Sequence, residues 1–207
     1  MKRKLRTALA VSLIALSCWG VSGSVKASSL PTYDRVRVLQ QAQDIPDVEL
    51  IDHNGRPFRL STLHGRITLV FFGFTNCPDV CPIAMNKMRQ LEASRSAEAT
   101  DIAYVMISVD GERDTPEVMK EFLARFSARF IGLTGDPRDI KAIAREFSVA
   151  FFKGAETNNN YTISHSPQVF VLDQAGQLRA EFYDATIEAM IGVTNALLKE
   201  AEPDSVD

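Results

Sequence analysis

Cysteine and histidine are scarce: the 207 residues hold three of each. Low-complexity runs and internal repeats are absent, which excludes a repeat array. The length allows one well-buried domain of roughly 150–180 residues and hardly two. Basic charge is thin outside the N-terminus. Of 23 Lys+Arg, five (Lys2, Arg3, Lys4, Arg6 and Lys26) lie in residues 1–27, which carry no acid. Beyond that segment, 18 Lys+Arg face 26 Asp+Glu, a net of −8. This balance argues against a nucleic-acid partner and suits an acidic exported protein.

The first residues supply the reason to expect export. "MKRKLR" is a basic start, and no charge follows from Thr7 to Val25. The most apolar part runs from Ala8 to Ala15, and "VKASS" offers small residues for cleavage after Ala27. Residues 1–27 therefore read as an export signal or an N-terminal membrane anchor, the anchor running through residues 7–25. Cys18 after "IALS" is a weaker lipidation candidate. Each alternative places the domain on the outer side of a membrane, either periplasmic or anchored in the inner membrane facing the periplasm. The exported chain then keeps two cysteines, Cys77 and Cys81, in an oxidising compartment where an idle pair tends to close.

Patterning predicts an α/β domain over 46–200, after a polar, irregular tether at 28–45 and before a polar tail at 201–207. "DVELIDHNGRPFRLSTLHGR" alternates and turns at Asn54–Gly55, as in a hairpin. "ITLVFFGF" and "IAYVMISVD" are continuous apolar runs, as in strands buried on both faces. A helix is predicted from about Pro82 to Ala97, with Cys81, Ala84, Met85, Met88 and Leu91 on one face. A second opens at Asp114 or Thr115, with Val118, Met119, Phe122, Leu123 and Phe126 as its apolar stripe. A third opens at Asp136–Pro137. A hairpin with its tip at Asn158–Asn160 precedes "SPQVFVLDQAGQLRAEFY", two strands turning at Gln174–Gly176. An amphipathic helix closes the chain. This order, with a dithiol after the first central strand, predicts a thioredoxin-like fold. It has a central mixed β-sheet flanked by helices, an N-terminal hairpin and a hairpin inserted before His165.

The dithiol "NCPDVCP" carries the chemistry. Cys77 precedes a helix and Cys81 lies in its first turn, where the helix dipole and unpaired N–H groups favour thiolate. A loop of five residues gains little from closure entropy, so a mere staple is the weaker reading. Three residues between the cysteines allow either disulfide exchange or metal binding by soft sulfur. Two sulfurs under-coordinate most metals, so a third ligand is wanted. His53 and His64 fall in or near the N-terminal hairpin and read as exposed turn residues. His165 lies where a hairpin returns to a buried strand, in a loop that passes the dithiol in a thioredoxin-like fold. Ser166–Pro167 is expected to be cis. Met85 and Met88 fall on the buried stripe and read as core.

With "FTNCPDVCP", "SVDGERDTPE" and "SHSPQVFVLDQAG" in that order, the chain resembles the Sco/SenC family over about residues 45–200. These are thioredoxin-fold copper proteins linked to assembly of the binuclear copper centre of cytochrome c oxidase. The resemblance implies Cys77, Cys81 and His165 as ligands of Cu(I) or Cu(II), with Cys77–Cys81 a disulfide when oxidised. It implies Asp110 and Asp114 as an acidic pair near the site, for orientation or partner contact. Implied partners are the copper-centre subunit of the oxidase or another cuproprotein, and a thiol reductant. Ser164, Gly111 and Asn76 depart from the family's usual aspartate, proline and histidine, and none removes a ligand. The rival function is a thiol-disulfide oxidoreductase that keeps a partner's cysteines reduced, with Cys77 attacking and Cys81 resolving. Metal carriage, rather than catalysis of a substrate reaction, is the expected role, with thiol-disulfide reductase activity as the alternative.

Overall fold

The computed structural model describes residues 30–96, 99–155 and 161–200. The export segment, the Asn158–Asn160 tip and the C-terminal tail fall outside them. In chain order the strands begin with β1 (Val36–Gln43), β2 (Glu49–Asp52), β3 (Pro57–Arg59) and β4 (Ile67–Gly73). Helix α1 (Val80–Ala93), β5 (Ile102–Ser108), α2 (Pro116–Leu123), β6 (Ile131–Thr134) and α3 (Pro137–Glu146) follow. The hairpin β7 (Phe151–Lys153) and β8 (Ile163–His165), then β9 (Val169–Leu172), β10 (Leu178–Phe182) and α4 (Ile187–Glu200), complete the fold.

Eight strands form one mixed sheet in the order β1-β10-β9-β4-β5-β6-β2-β3. β4, β5 and β6 are parallel, and the other pairings are antiparallel. Every residue of β4 and β5 is buried, as their unbroken apolar runs require. Alternate residues of β4 face opposite sides of the sheet. Phe72 meets Phe147, at the end of α3, and Phe170 of β9 in edge-on contacts. Phe71 and Gly73 face the other side, toward α1. Helices thus cover both faces of a thioredoxin-like fold. Each phenylalanine buried this way contributes about 1.5–3 kcal/mol. Met85 and Met88 are fully buried in this core.

Register sets the site. β4 and β5 run side by side from Ile67↔Ile102 to Gly73↔Ser108, so their carboxyl ends open together. β9 runs opposite to β4 and pairs Val169 with Phe71, so its start lies at that same end. Three loops converge there: β4–α1, β5–α2 and β8–β9. The carboxyl edge of parallel strands is where open α/β sheets hold ligands.

The hairpin at Asn54–Gly55 is present, with Gly55 at φ +75°, a conformation that glycine adopts without strain. Other expectations fail. Residues 28–45 are not all irregular, because β1 forms the sheet edge against β10, with Arg37 paired to the buried Glu181. Its partner is remote in sequence and its outer half is exposed, so the local pattern is weak. α1 ends at Ala93, where the Ser94 hydroxyl donates to Leu91 O at 2.7 Å. Of the two N-caps expected for α2, Thr115 is the one used, accepting from Val118 N–H. Val118 of the predicted stripe is exposed. The Ser166–Pro167 bond is trans. Ser166 N–H donates to Ala150 O, so the residue before the proline extends the β7–β8 ladder by one step rather than turning.

Candidate metal centre

Cys77 closes a turn after β4, its N–H donating to Phe74 O at 3.2 Å. Cys81 is the second residue of α1. Both are free thiols and both are buried, Cys77 at 8% exposure and Cys81 at 0%. Gly73 lies beneath them. A Cβ there would stand 3.0 Å from Cys81 Sγ and 2.6 Å from the Phe71 ring, so only glycine lets the sulfur settle on the strand end.

His165 ends β8 opposite Phe151. Its Nε2 lies 3.3 Å from Cys81 Sγ, and its Nδ1 lies 3.0 Å from Ser166 O. A carbonyl oxygen only accepts, so Nδ1 carries the proton and Nε2 presents its lone pair to the sulfur. The rings of Phe71 and Phe74 meet the imidazole edge-on, with centroids at 5.8 and 5.7 Å. The ligating atoms of Cys77, Cys81 and His165 all lie within 4.8 Å of one another. The structure brings together the three residues singled out from sequence. His53 and His64 stay apart from them. His53 is half-buried rather than exposed, and its Nδ1 accepts from Gly132 N–H at 2.9 Å, while His64 is exposed as expected.

Burial dominates the electrostatics. It pushes the Cys81 thiol far up, Cys77 adds to that through a hydrogen bond, and the Phe74 amide opposes it. The expectation that a helix start makes this thiol a thiolate is thus overturned at Cys81. Desolvation of a fully covered sulfur exceeds the field of one helix end. Burial also lowers the His165 pKa, against its bond to Ser166 O, and keeps the imidazole neutral. Two sulfurs and a neutral imidazole form a donor set for a soft or borderline cation such as Cu(I) or Zn(II).

The acidic pair lies close by but offers no ligand atom to the cluster. Asp114 is fully buried. Its carboxylate accepts from Thr75 N–H (3.0 Å), Thr75 Oγ1 (2.5 Å) and Ser108 Oγ (2.6 Å). Burial raises its pKa despite these bonds. Asp110 accepts from Arg113 Nε at 2.5 Å and from the Tyr161 hydroxyl at 2.5 Å. Nothing in residue type or spacing marks Gly73, Phe71, Phe74, Thr75 or Tyr161 as neighbours of the centre. Only Arg113, inside the "DGERDTPE" run, sits in a stretch that draws notice.

Residues 37–199 match the family model described as SCO1/SenC. The chain belongs to the SCO1/SenC family. Among its relatives in this family, the SCO2-like protein of Rickettsia felis is 37% identical over 163 residues, which is 77% of this chain and 80% of that one. The structure of Bradyrhizobium japonicum ScoI with copper bound superposes at TM-score 0.68 and 31% identity, covering 75% of this chain and 98% of that one. The solution structure of apo Sco1 from Thermus thermophilus superposes at TM-score 0.72 and 28% identity, covering 83% and 100%. The SCO1/SenC match therefore spans all three converging loops, not the dithiol segment alone.

Proposed function

We propose that this chain is a copper metallochaperone. Its cargo is one copper ion, held by Cys77 Sγ, Cys81 Sγ and His165 Nε2 and delivered to a copper-centre protein, with the copper subunit of cytochrome c oxidase as the recipient. The observation that carries the reading is the convergence of these three ligating atoms within 4.8 Å. Copper bound to a 31% identical relative, ScoI of Bradyrhizobium japonicum, supports the choice of metal. Loading requires reduced cysteines and displaces the Cys81 proton, because only thiolate ligates. His165 is already neutral, with Nε2 free of a proton, so it needs no rearrangement. Release proceeds by ligand exchange with the recipient's cysteines and histidines. Residues 1–27 place the domain in the cell envelope as a cleaved signal or an anchor. Among the described residues, no helix is long and apolar enough to cross a membrane.

Anaerobic titration of the reduced protein with Cu(I), beside His165→Ala and Cys77→Ser, tests this. One tightly bound copper per wild-type chain is expected, with weaker binding in both variants. If His165→Ala binds as tightly as wild type, the three-ligand assignment fails.

A thiol-disulfide reductase remains the second reading, favoured by one observation: Cys81 is fully buried and its thiol is held protonated, which suits a resolving rather than an attacking cysteine. In that case reductase activity survives His165→Ala and is lost in Cys77→Ser.

A further inference from the structure

The imidazole of the centre stands on a short hairpin. β7 and β8 have three residues each and pair with each other, apart from the eight-stranded sheet. A lone two-stranded hairpin is marginal in water. Phe152 on this hairpin is 70% exposed, so its outer side adds no packing. Phe151 and Ile163 pack its inner side against the core, and polar contacts from a neighbouring loop hold it where His165 meets the dithiol.

The loop after β5, residues 109–115, does so from two ends. At one end Asp114 takes the Thr75 N–H and hydroxyl, and Thr75 lies two residues before Cys77. At the other end the loop grips Tyr161, four residues before His165. The Tyr161 hydroxyl donates to Asp110 Oδ1 at 2.5 Å and reaches Glu112 Oε2 at 3.2 Å. Arg113 Nη1 donates to Tyr161 O at 3.0 Å, and its guanidinium lies 3.6 Å from the centre of the Tyr161 ring. Lys153 of β7 covers the same ring at 3.9 Å and pairs with Glu112 at 2.9 Å.

We propose that the 109–115 loop is a clasp that sets the spacing between dithiol and imidazole, and that Tyr161 is the positioning residue through which it holds His165. The inference deepens the copper-chaperone reading and rests on it for its effect on metal. The clasp itself is a property of the metal-free chain. Cation–π contact and a hydrogen bond to a charged group are each strong for a half-buried site. Tyr161 also spans the gap between two loops that share no strand pairing.

The test is a double-mutant cycle on the whole protein, with Cu(I) affinity measured against a competing chelator. Tyr161→Ala leaves the Asp110–Arg113 pair in place, so it perturbs the clasp without stranding a buried charge. It is expected to weaken Cu(I) binding by about tenfold. In the His165→Ala background the same substitution is expected to change affinity by less than about twofold, because there is no imidazole left to position. Tyr161→Phe keeps the ring stack and is expected to fall between wild type and Tyr161→Ala. An equal loss in both backgrounds, or none in wild type, overturns the positioning role. Amide exchange on the metal-free protein supplies the independent readout. The Ser166 amide, which closes the β7–β8 ladder, is expected to exchange faster in Tyr161→Ala while the Thr75 amide is unchanged. Unaltered Ser166 exchange overturns the clasp. If His165→Ala binds copper like wild type, the three-ligand reading fails and the exchange result alone decides the clasp.

Discussion

His165 Nε2 stands 3.3 Å from Cys81 Sγ across 84 residues of sequence. The contact follows from strand directions. β4 delivers the dithiol at its carboxyl end, and antiparallel β9 begins at that end, so the segment entering β9 must pass the sulfurs. With Nδ1 committed to Ser166 O, the imidazole meets the thiol through its lone pair. A cation placed between them meets that lone pair and the Cys81 sulfur together.

Gly73→Ala tests how closely the centre is fitted to its strand. The added methyl meets the buried Phe71 ring and the Cys81 sulfur at once. Neither is the loose end of a surface side chain. A loss of about 1–3 kcal/mol is expected by denaturant unfolding, together with weaker copper binding as the sulfur is displaced. Wild-type stability and affinity in this variant would show that the space beneath Cys81 is not limiting.

Much of this centre was legible because its signals are local. Two cysteines at a strand-to-helix junction announce themselves, and the unbroken apolar runs of β4 and β5 mark buried strands. His165 was legible only through fold order, since nothing in "ISHS" marks a ligand. The state of the Cys81 thiol was not legible: helix position argues for thiolate, and only the packed structure reveals the desolvation that outweighs it. Asp114 looked like a helix cap because it precedes "TPE", yet its partners Thr75 and Ser108 lie on other segments. The grip of Arg113 on Tyr161 spans 48 residues and no spacing rule anticipates it. β1 escaped notice because half of "VRVLQQAQ" faces water and its pairing is with a distant strand.

β1 carries its own prediction. Arg37 Nε donates to Glu181 Oε2 at 3.0 Å, and Glu181 is buried while Arg37 is about half exposed. Arg37→Ala leaves the carboxylate covered, with the Tyr183 hydroxyl as its donor. A loss of about 1–3 kcal/mol is expected by thermal or denaturant unfolding. Replacing both partners with leucine is expected to recover much of it, since no buried charge then remains. If Arg37→Ala unfolds like wild type, β1 is a loosely held edge rather than part of the domain.

Asp114 should give stability a pH dependence of uncommon sign for a carboxylate. Burial raises its folded pKa above the unfolded value. The folded state therefore binds its proton more readily than the unfolded state. The contribution is fully present below the unfolded pKa of about 3.9 and is lost as pH rises through the folded pKa. Asp114→Asn removes this titration. The stability of wild type relative to Asp114→Asn is expected to fall as pH rises from about 4, measured as the difference in melting temperature across the pH series. A difference that grows in favour of wild type would mean that the three hydrogen bonds outweigh desolvation.

Copper loading should depend on pH through Cys81. Its thiol is held protonated at neutral pH by burial, with the bond to Cys77 adding to the effect. Binding the metal must then expel that proton, and each proton released makes the apparent affinity rise about tenfold per pH unit. His165 contributes nothing to this slope near neutrality. Its pKa is lowered by burial, so the imidazole is already neutral and loses no proton on loading. Cu(I) affinity, measured against a chelator of known protonation, is therefore expected to climb steadily between about pH 6 and 8. His165→Ala should lower the whole curve and leave its slope unchanged. Cys81→Ser should flatten it by about one proton. A wild-type slope no steeper than that of Cys81→Ser would mean that Cys81 is a thiolate before copper arrives, and that the helix start prevails over burial after all.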